Sequence, residues 1–301
     1  MDSLAAAPGT GPATSPLPVV RPARAPRTFA DLPADRTLVM GILNVTPDSF
    51  SDGGRFADTD AAIRAGLKMH YEGADIIDVG GESTRPDSVR ISAELEQERI
   101  LPVVEALVKA GALVSVDTMN VSTAEKAVAA GAAIINDVSG TETDPEMPGL
   151  VARTGVAYVL MHSRGNVRSN DPNAAYGDVV EDVLAELAAV RDRFLAAGVA
   201  PAQIIVDPGL GFSKTGEHDW QLLRGIDRLS TLGHRVLVGA SRKRFLGSLL
   251  TSFGKAAPPL ERDYATAAVS ALAAASGVWA VRVHNVPANL DAVKTAAAWK
   301  A

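Results

Sequence analysis

The feature that most constrains this chain is a repeating unit. A short aliphatic or β-branched run, usually entered through a glycine, ends in polar residues, and a helical pattern follows before the next run. Residues 38–43 end at Asn44, and the stretch from Gly73 to Gly80 contains Asp78. Gly111 leads to a run ending at Asp117, Gly131 to one ending at Asn136, and Gly155 to one ending at His162. Residues 203–206 end at Asp207, 235–238 run into Gly239-Ala-Ser-Arg-Lys243, and 279–283 end at His284. Apolar runs this short, bounded by turn chemistry, read as strands buried on both faces. A glycine before a strand fits the C-cap of the preceding helix. Strict alternation of strand and helix implies a parallel sheet. Eight units over about 265 residues, from roughly position 36 onward, match a closed TIM (β/α)8 barrel. A doubly wound sheet would want G-x-G-x-x-G after its first strand, where this chain has Asn-Val-Thr-Pro.

Residues 1–35 break the pattern. They are rich in Ala, Pro, Gly, Ser and Thr, carry Arg21, Arg24 and Arg27, and lack periodicity, so they read as a disordered leader ahead of a barrel over 36–301. The prolines and the missing amphipathic pattern count against a transit peptide. With 47% hydrophobic residues in a chain of 301 there is ample material for a core. A net charge of −6 with no basic stripe argues against a nucleic-acid surface. No cysteine is present, which excludes disulfides, thiolate metal sites and cysteine nucleophiles. No apolar run approaches the about 20 residues of a membrane span, and a cytoplasmic protein is expected.

In a barrel of this kind the C-terminal strand ends face one shared cup. The residues placed there are Asn44, Asp78, Asp117, Asn136, His162, Asp207, Lys243, Arg282 and His284. Any one of them could be a capping or turn residue. A polar group at nearly every strand end has no such explanation. Asp117, Asn136 and Asp207 make an acceptor-rich wall that complements a planar heterocycle with adjacent N–H and NH2 donors, as in an aminopyrimidinone. Lys243, Arg282 and His284 supply positive charge across the cup, on the phosphate-binding side of many such barrels. The loop after the first strand (Asn44 to Gly54) crowds an amide, two carboxylates and several hydroxyls beside Phe50, which suits Mg²⁺, a polar substrate or a well-capped surface turn.

With these residues in place the chain resembles the bacterial dihydropteroate synthases over nearly everything after the leader. The resemblance is carried by the segments starting at Asn44 (NVTPDSFSDGG), Asp78 (DVGGESTRP), Ser115 (SVDT), Asn136 (NDVSG), Asp207 (DPGLGF), Ser241 (SRKRFLG) and Arg282 (RVH). It implies a transferase of folate biosynthesis. Such an enzyme condenses 6-hydroxymethyl-7,8-dihydropterin diphosphate with 4-aminobenzoate, releases pyrophosphate, and is of the kind that sulfonamides target. It further implies that Asp117, Asn136 and Asp207 hold the pterin edge with Lys243 bridging toward the ring. Arg282 and His284 would bind the diphosphate with Mg²⁺, for which Asn44 is the implied protein ligand. Phe50, Asp52, Thr84, Arg85 and Pro86 from the first two loops, with Phe212 and Ser241, would form the aminobenzoate pocket, Thr84 also serving the pterin diphosphate. A homodimer packed through late helices is implied as well.

The sequence departs from the family pattern at Asp87, Asn120 and Asn285, where Gly, a basic residue and Asp are usual. Other readings are a methyltetrahydrofolate-binding methyltransferase, a non-catalytic pterin-binding paralogue and a Schiff-base aldolase built on Lys243. The first has no reason to keep Ser-Thr-Arg-Pro and Ser-Arg-Lys-Arg, the second should have lost loop residues, and the pterin wall speaks against the third. His70, His218 and His234 read as surface or helix residues, and Trp220, Trp279 and Trp299 as packing.

Overall fold

The computed structural model describes residues 28–46, 54–82, 90–165 and 174–300, with 54–58 by their backbone. Eight parallel strands close in sequence order into a barrel: β1 (Leu38–Asn44), β2 (Ile76–Gly80), β3 (Val114–Asp117), β4 (Ile134–Asp137), β5 (Ala157–Met161), β6 (Ile204–Asp207), β7 (Arg235–Val238) and β8 (Ala280–Val283). Closure comes from β8 pairing with β1, Leu38 opposite Ala280 and Met40 opposite Arg282. The expected TIM barrel is therefore the observed fold.

Around it lie α1 (Gly54–Tyr71), α2 (Ala93–Lys109), α3 (Val121–Ala129), α4 (Met147–Thr154), α5 (Val179–Ala196), α6 (Gly216–Arg224), α7 (Arg244–Leu249), α8 (Asp263–Ala275) and α9 (Val286–Lys300). The connection from β7 to β8 contains two helices instead of the single one expected. The pair Pro258-Pro259 stands between them, and proline cannot donate the backbone bond a continuous helix needs. Ser92 caps α2 by accepting from Leu95 N–H at 3.3 Å. Among the described residues no helix is long and apolar enough to cross a membrane.

Side-chain alternation along the strands sorts the interior into storeys. Leu38, Met40, Ile76, Leu113, Ile134, Ala157, Val159, Ile205, Leu237 and Ala280 fill the lower barrel as one apolar cluster. Two residues further along several strands the series turns polar: Ile76 gives way to Asp78, Leu113 to Ser115, Ile134 to Asn136, Ile205 to Asp207, and Ala280 to Arg282. The alternate residues, such as Val39, Ile77, Val116 and Val206, pack outward against helix faces such as Ile100, Val103, Val104 and Leu107 of α2.

The bottom of the barrel moves the expected domain boundary. Phe29–Asp31 form a 3-10 turn, and Phe29 stacks on Trp279 with ring centroids 5.7 Å apart. The Arg235 guanidinium lies 5.3 Å from the Phe29 ring. Packed chain thus begins before residue 36, because an aromatic side chain in the Pro-rich segment seals the lower cluster. Residues 1–27 lie outside the described residues. Of the tryptophans read as packing, Trp279 serves that seal and Trp220 meets Phe245 edge-on at 4.9 Å, whereas Trp299 is exposed.

Just above this floor, Asp75 accepts both Arg36 nitrogens (2.7 and 2.8 Å) and the Val39 N–H (2.8 Å). One buried carboxylate thereby ties β1, β2 and the entering chain together. Asp75→Ala would strand a guanidinium and a buried N–H, and should cost about 3 kcal/mol in urea denaturation. A loss under about 1 kcal/mol would show that this tie is dispensable.

Candidate functional site

The polar storey is held by one arginine. Arg282 on β8 donates from Nε to Asp78 Oδ2 at 2.6 Å and from Nη2 to Asp117 Oδ2 at 2.7 Å. Asp78 Oδ2 also accepts from Asn136 Nδ2 at 3.0 Å. Four strands, β2, β3, β4 and β8, are joined through these four side chains. Asp78 is fully buried, and among the described residues its Oδ1 has no hydrogen-bond partner, nor has the buried Ser115 Oγ beside it on β3.

The second half of the cup forms around Gly239. A Cβ there would sit 3.7 Å from Asp207 Oδ2, 3.9 Å from Lys243 Nζ and 3.9 Å from Arg282 Cβ, so a carboxylate, an ammonium and the root of the arginine side chain converge where the chain carries no side chain. Asp207 Oδ1 is turned back to accept the Gly209 N–H at 2.7 Å. Lys243 donates to the Leu210 carbonyl, and its Nζ lies 4.8 Å from the Phe212 ring centroid. Ser241 Oγ meets His284 Nδ1 at 2.9 Å and accepts the His284 N–H at 3.1 Å. Asn44 is exposed at the end of β1.

Backbone geometry aims these groups. Arg242, between Ser241 and Lys243, has φ +59, a left-handed conformation costly for a non-glycine residue. Its N–H reaches Thr266 Oγ1 at 3.2 Å, its carbonyl accepts from Arg262 at 2.7 Å, and its guanidinium grips Asp263 at 2.6 and 2.8 Å. Gly209 has φ +65, and a Cβ there would lie 1.9 Å from the His162 carbonyl oxygen, so the loop after β6 and the end of β5 touch backbone to backbone.

Electrostatics follow from burial. Desolvation pushes Asp117 up to about 7, against the pull of Arg282 and with the push of Asp78. Burial likewise raises Asp207, opposed chiefly by Lys243. Burial lowers Lys243 to about 8, with Asp207 and Asp219 holding it from falling further. For Arg282 burial works downward, but Asp78 and Asp117 outweigh it and raise the guanidinium.

The expected site residues are thus brought together with one difference. Asp117, Asn136, Asp207, Lys243 and Arg282 share one cup, with Ser241 and His284 paired beside it and Phe212 against Lys243. The sequence reading set Arg282 across from the acidic wall; instead it pairs with one carboxylate of that wall, Asp117, and with Asp78 on the neighbouring strand. Phe50, Asp52, Thr84, Arg85, Pro86 and Asp87 lie outside the described residues. Asn120 donates to Glu96 at 2.8 Å and Asn285 to Asp263 at 3.2 Å, so both departures from the family pattern support neighbouring turns. Sequence reasoning placed His162 in the cup without a role, and missed Lys214, Glu186 and Arg164, which surround it. The only available signal was a lysine two residues beyond Phe212.

Among the described residues no group of three or more His, Asp or Glu could hold a metal ion. The neutral oxygen of Asn44 at the cup's rim fits Mg²⁺ as a lone protein ligand, because Mg²⁺ is commonly held by few protein oxygens plus substrate phosphates and water.

Residues 40–284 match the family described as pterin binding enzyme. The dihydropteroate synthase of Mycobacterium leprae is 52% identical over 264 residues, covering 87% of this chain and 93% of that protein. The dihydropteroate synthase of Xanthomonas albilineans in complex with 7,8-dihydropteroate superposes with a TM-score of 0.79 at 39% identity, over 90% of this chain and 96% of that one. The Yersinia pestis enzyme in a sulfonamide drug complex gives 0.82 at 37% identity, over 89% and 96%.

An uncharged aminopyrimidinone that does not itself titrate between pH 6 and 8 tests the acidic wall. Its donors need Asp117 ionised, so affinity should rise about tenfold across that range and level off above it. Calorimetry on Asp117→Asn should show the pH dependence flattened. A wild-type profile that falls with pH would contradict it.

Proposed function

The chain belongs to the pterin-binding enzymes and, among them, to the dihydropteroate synthases, and we infer from this that its cup joins 6-hydroxymethyl-7,8-dihydropterin diphosphate to 4-aminobenzoate. The products are 7,8-dihydropteroate and pyrophosphate, in folate biosynthesis. The observation that carries the residue assignment is the convergence of Asp207, Lys243 and Arg282 around Gly239, next to Asp117 and Asn136.

In this reading Asp117, Asn136 and Asp207 take the N–H and NH2 donors of the pterin, and charge-assisted bonds of that kind are worth about 1.5–3 kcal/mol each. Lys243, lying beside Asp207, reaches the ring from the same side. The C–O bond between the pterin methylene and the diphosphate breaks, pyrophosphate leaves with the electron pair, and the electron-rich ring spreads the resulting positive charge. The aniline nitrogen of 4-aminobenzoate then bonds to the methylene carbon and gives its proton to water, so no strong general base is required. His284, together with the Arg282 guanidinium that Asp78 and Asp117 hold in place, would supply positive charge to the departing anion, and catalysis rests on positioning and charge complementarity. Mg²⁺ held through Asn44 and the substrate's own phosphates would supply further neutralisation of the leaving group. Phe212 and Ser241 would line the aminobenzoate side, to which the family resemblance also assigns Phe50, Asp52, Thr84, Arg85 and Pro86, outside the described residues. A sulfonamide would compete there.

The proposed homodimer has a candidate surface. Leu249, Phe253, Leu260, Tyr264 and Leu272, on or between α7 and α8, are exposed large apolar side chains. Burying these side chains against a second copy would remove them from water. Sedimentation equilibrium should give twice the chain mass; a monomer at micromolar concentration would refute it.

Pyrophosphate release in the presence of the pterin diphosphate, 4-aminobenzoate and Mg²⁺ tests the reaction. Asp207→Asn should cut turnover at least about tenfold with an unchanged thermal midpoint. A chelator should abolish release by wild type. Wild-type turnover in Asp207→Asn would remove Asp207 from the pterin wall, and a methyltransferase would release no pyrophosphate.

A further inference from the structure

Beside the cup lies a chain of polar and charged groups, buried at Lys214 and His162 and partly exposed at Glu186 and Arg164, with no part in the chemistry above. Lys214 is 8% exposed, and its Nζ donates to His162 Nδ1 at 2.8 Å, to the Phe212 carbonyl at 3.0 Å and to the His162 carbonyl at 3.4 Å. On the other edge of the imidazole, His162 Nε2 meets Glu186 Oε2 of α5 at 2.9 Å. Glu186 in turn is held by Arg164, from Nε at 2.9 and 3.1 Å and from Nη2 at 2.6 Å. The Arg164 guanidinium lies 3.8 Å over the Tyr176 ring.

An ammonium has only donors. Where Lys214 is protonated, His162 Nδ1 accepts, which places the ring proton on Nε2, donated to Glu186, and makes the imidazole neutral. Burial acts in the same direction and lowers His162 to about 4. Burial also lowers Lys214 to about 7, and above that pH the neutral amine can still donate to His162 Nδ1. The network is thus a fixed sequence of donor and acceptor from Lys214 through His162 to Glu186. It ends on the loop after β6, the segment that carries Phe212.

That loop is pinned at each turn. Gly209 N–H is held by Asp207, Gly211 N–H by Asp219 Oδ1 at 2.6 Å, and the Ser213 carbonyl by the Tyr176 hydroxyl at 3.0 Å. Ser213 itself sits at φ +47. Between these anchors, Lys214 holds the Phe212 carbonyl from below while Lys243 holds the Leu210 carbonyl and faces the Phe212 ring. Phe212 is therefore fixed between two lysines from different elements.

We propose that Lys214 is a positioning residue for the 4-aminobenzoate pocket: tied to the neutral His162, it fixes the Phe212 carbonyl and so sets where the Phe212 ring lies. The proposal rests on the reading that Phe212 lines that pocket. Removing the ammonium should loosen one substrate's seat and leave the other's intact, since the pterin wall hangs on Asp117, Asn136 and Asp207, none of which Lys214 bonds.

The test uses the full chain with both substrates and Mg²⁺. Lys214→Met keeps the length of the side chain and loses the donors. Its KM for 4-aminobenzoate should rise about tenfold, while calorimetric affinity for the pterin diphosphate alone stays within about twofold. In a Phe212→Ala background the same substitution should change that KM less than about twofold, because the residue it positions is gone. Glu186→Gln, at a partly exposed position, should raise the aminobenzoate KM in the same selective way by a smaller factor, and it decides the matter if Lys214→Met fails to fold. A fall in Vmax with both substrate constants unchanged would mean only structural support and would overturn the proposal. So would an equal effect of Lys214→Met with and without Phe212. If wild type itself makes no dihydropteroate, it is the proposed function that fails, and the two failures are told apart by that control.

Discussion

Arg282 reaching two carboxylates at once is the interaction on which the rest of the cup depends. A single buried ion pair contributes little net stability, because desolvating the partners offsets their attraction. A guanidinium shared by Asp78 and Asp117 is different in kind, since removing it would leave two acids from neighbouring strands facing each other without compensation. Asn136 hangs on the same Asp78 oxygen. The geometry of one wall is therefore set by a residue from the strand that closes the barrel. Asp78 Oδ1 and the Ser115 Oγ beside it, buried without a protein partner among the described residues, belong to the same polar storey.

Division of labour along the barrel axis explains why the fold was readable. Each strand alternates inward and outward, and the inward series changes from aliphatic to polar after one or two steps, so strand ends could be picked out from residue type alone. The glycine ahead of most runs made the period visible. What periodicity could not show was side-chain reach. Whether Arg282 pointed to solvent or to the carboxylates two and three strands away depends on closure of the barrel, which no local pattern encodes. His162, Lys214 and Glu186 met the same limit: they come from a strand end, a loop and a helix, and each has an ordinary local explanation as a turn or surface residue. Asp75 carries no local signal of its role, because its partners, Arg36 and the Val39 N–H, lie more than thirty residues away in the chain.

The turn holding Ser241 and Lys243 shows how the scaffold fixes the shape of the cup. Arg242 adopts a backbone angle that an L-residue avoids, and Asp263, Thr266 and Arg262 together hold it there. The Ser-Arg-Lys-Arg stretch thus divides into residues with separate tasks. Lys243 enters the cup, and Arg242 bolts the turn to α8. Asn285, at a departure from the family pattern, joins the same Asp263 carboxylate and so belongs to the scaffold.

Gly209 has a consequence for how such a chain can drift. Its missing side chain is the space in which the His162 carbonyl sits, so that position is closed to every other amino acid whatever selective pressure is applied. Variation that reshapes the Phe212 seat must enter from the flanks, through residues whose side chains already have somewhere to go. A drug acting on that seat would meet escape variants along a few foreseeable routes, and none of them would run through the centre of the loop.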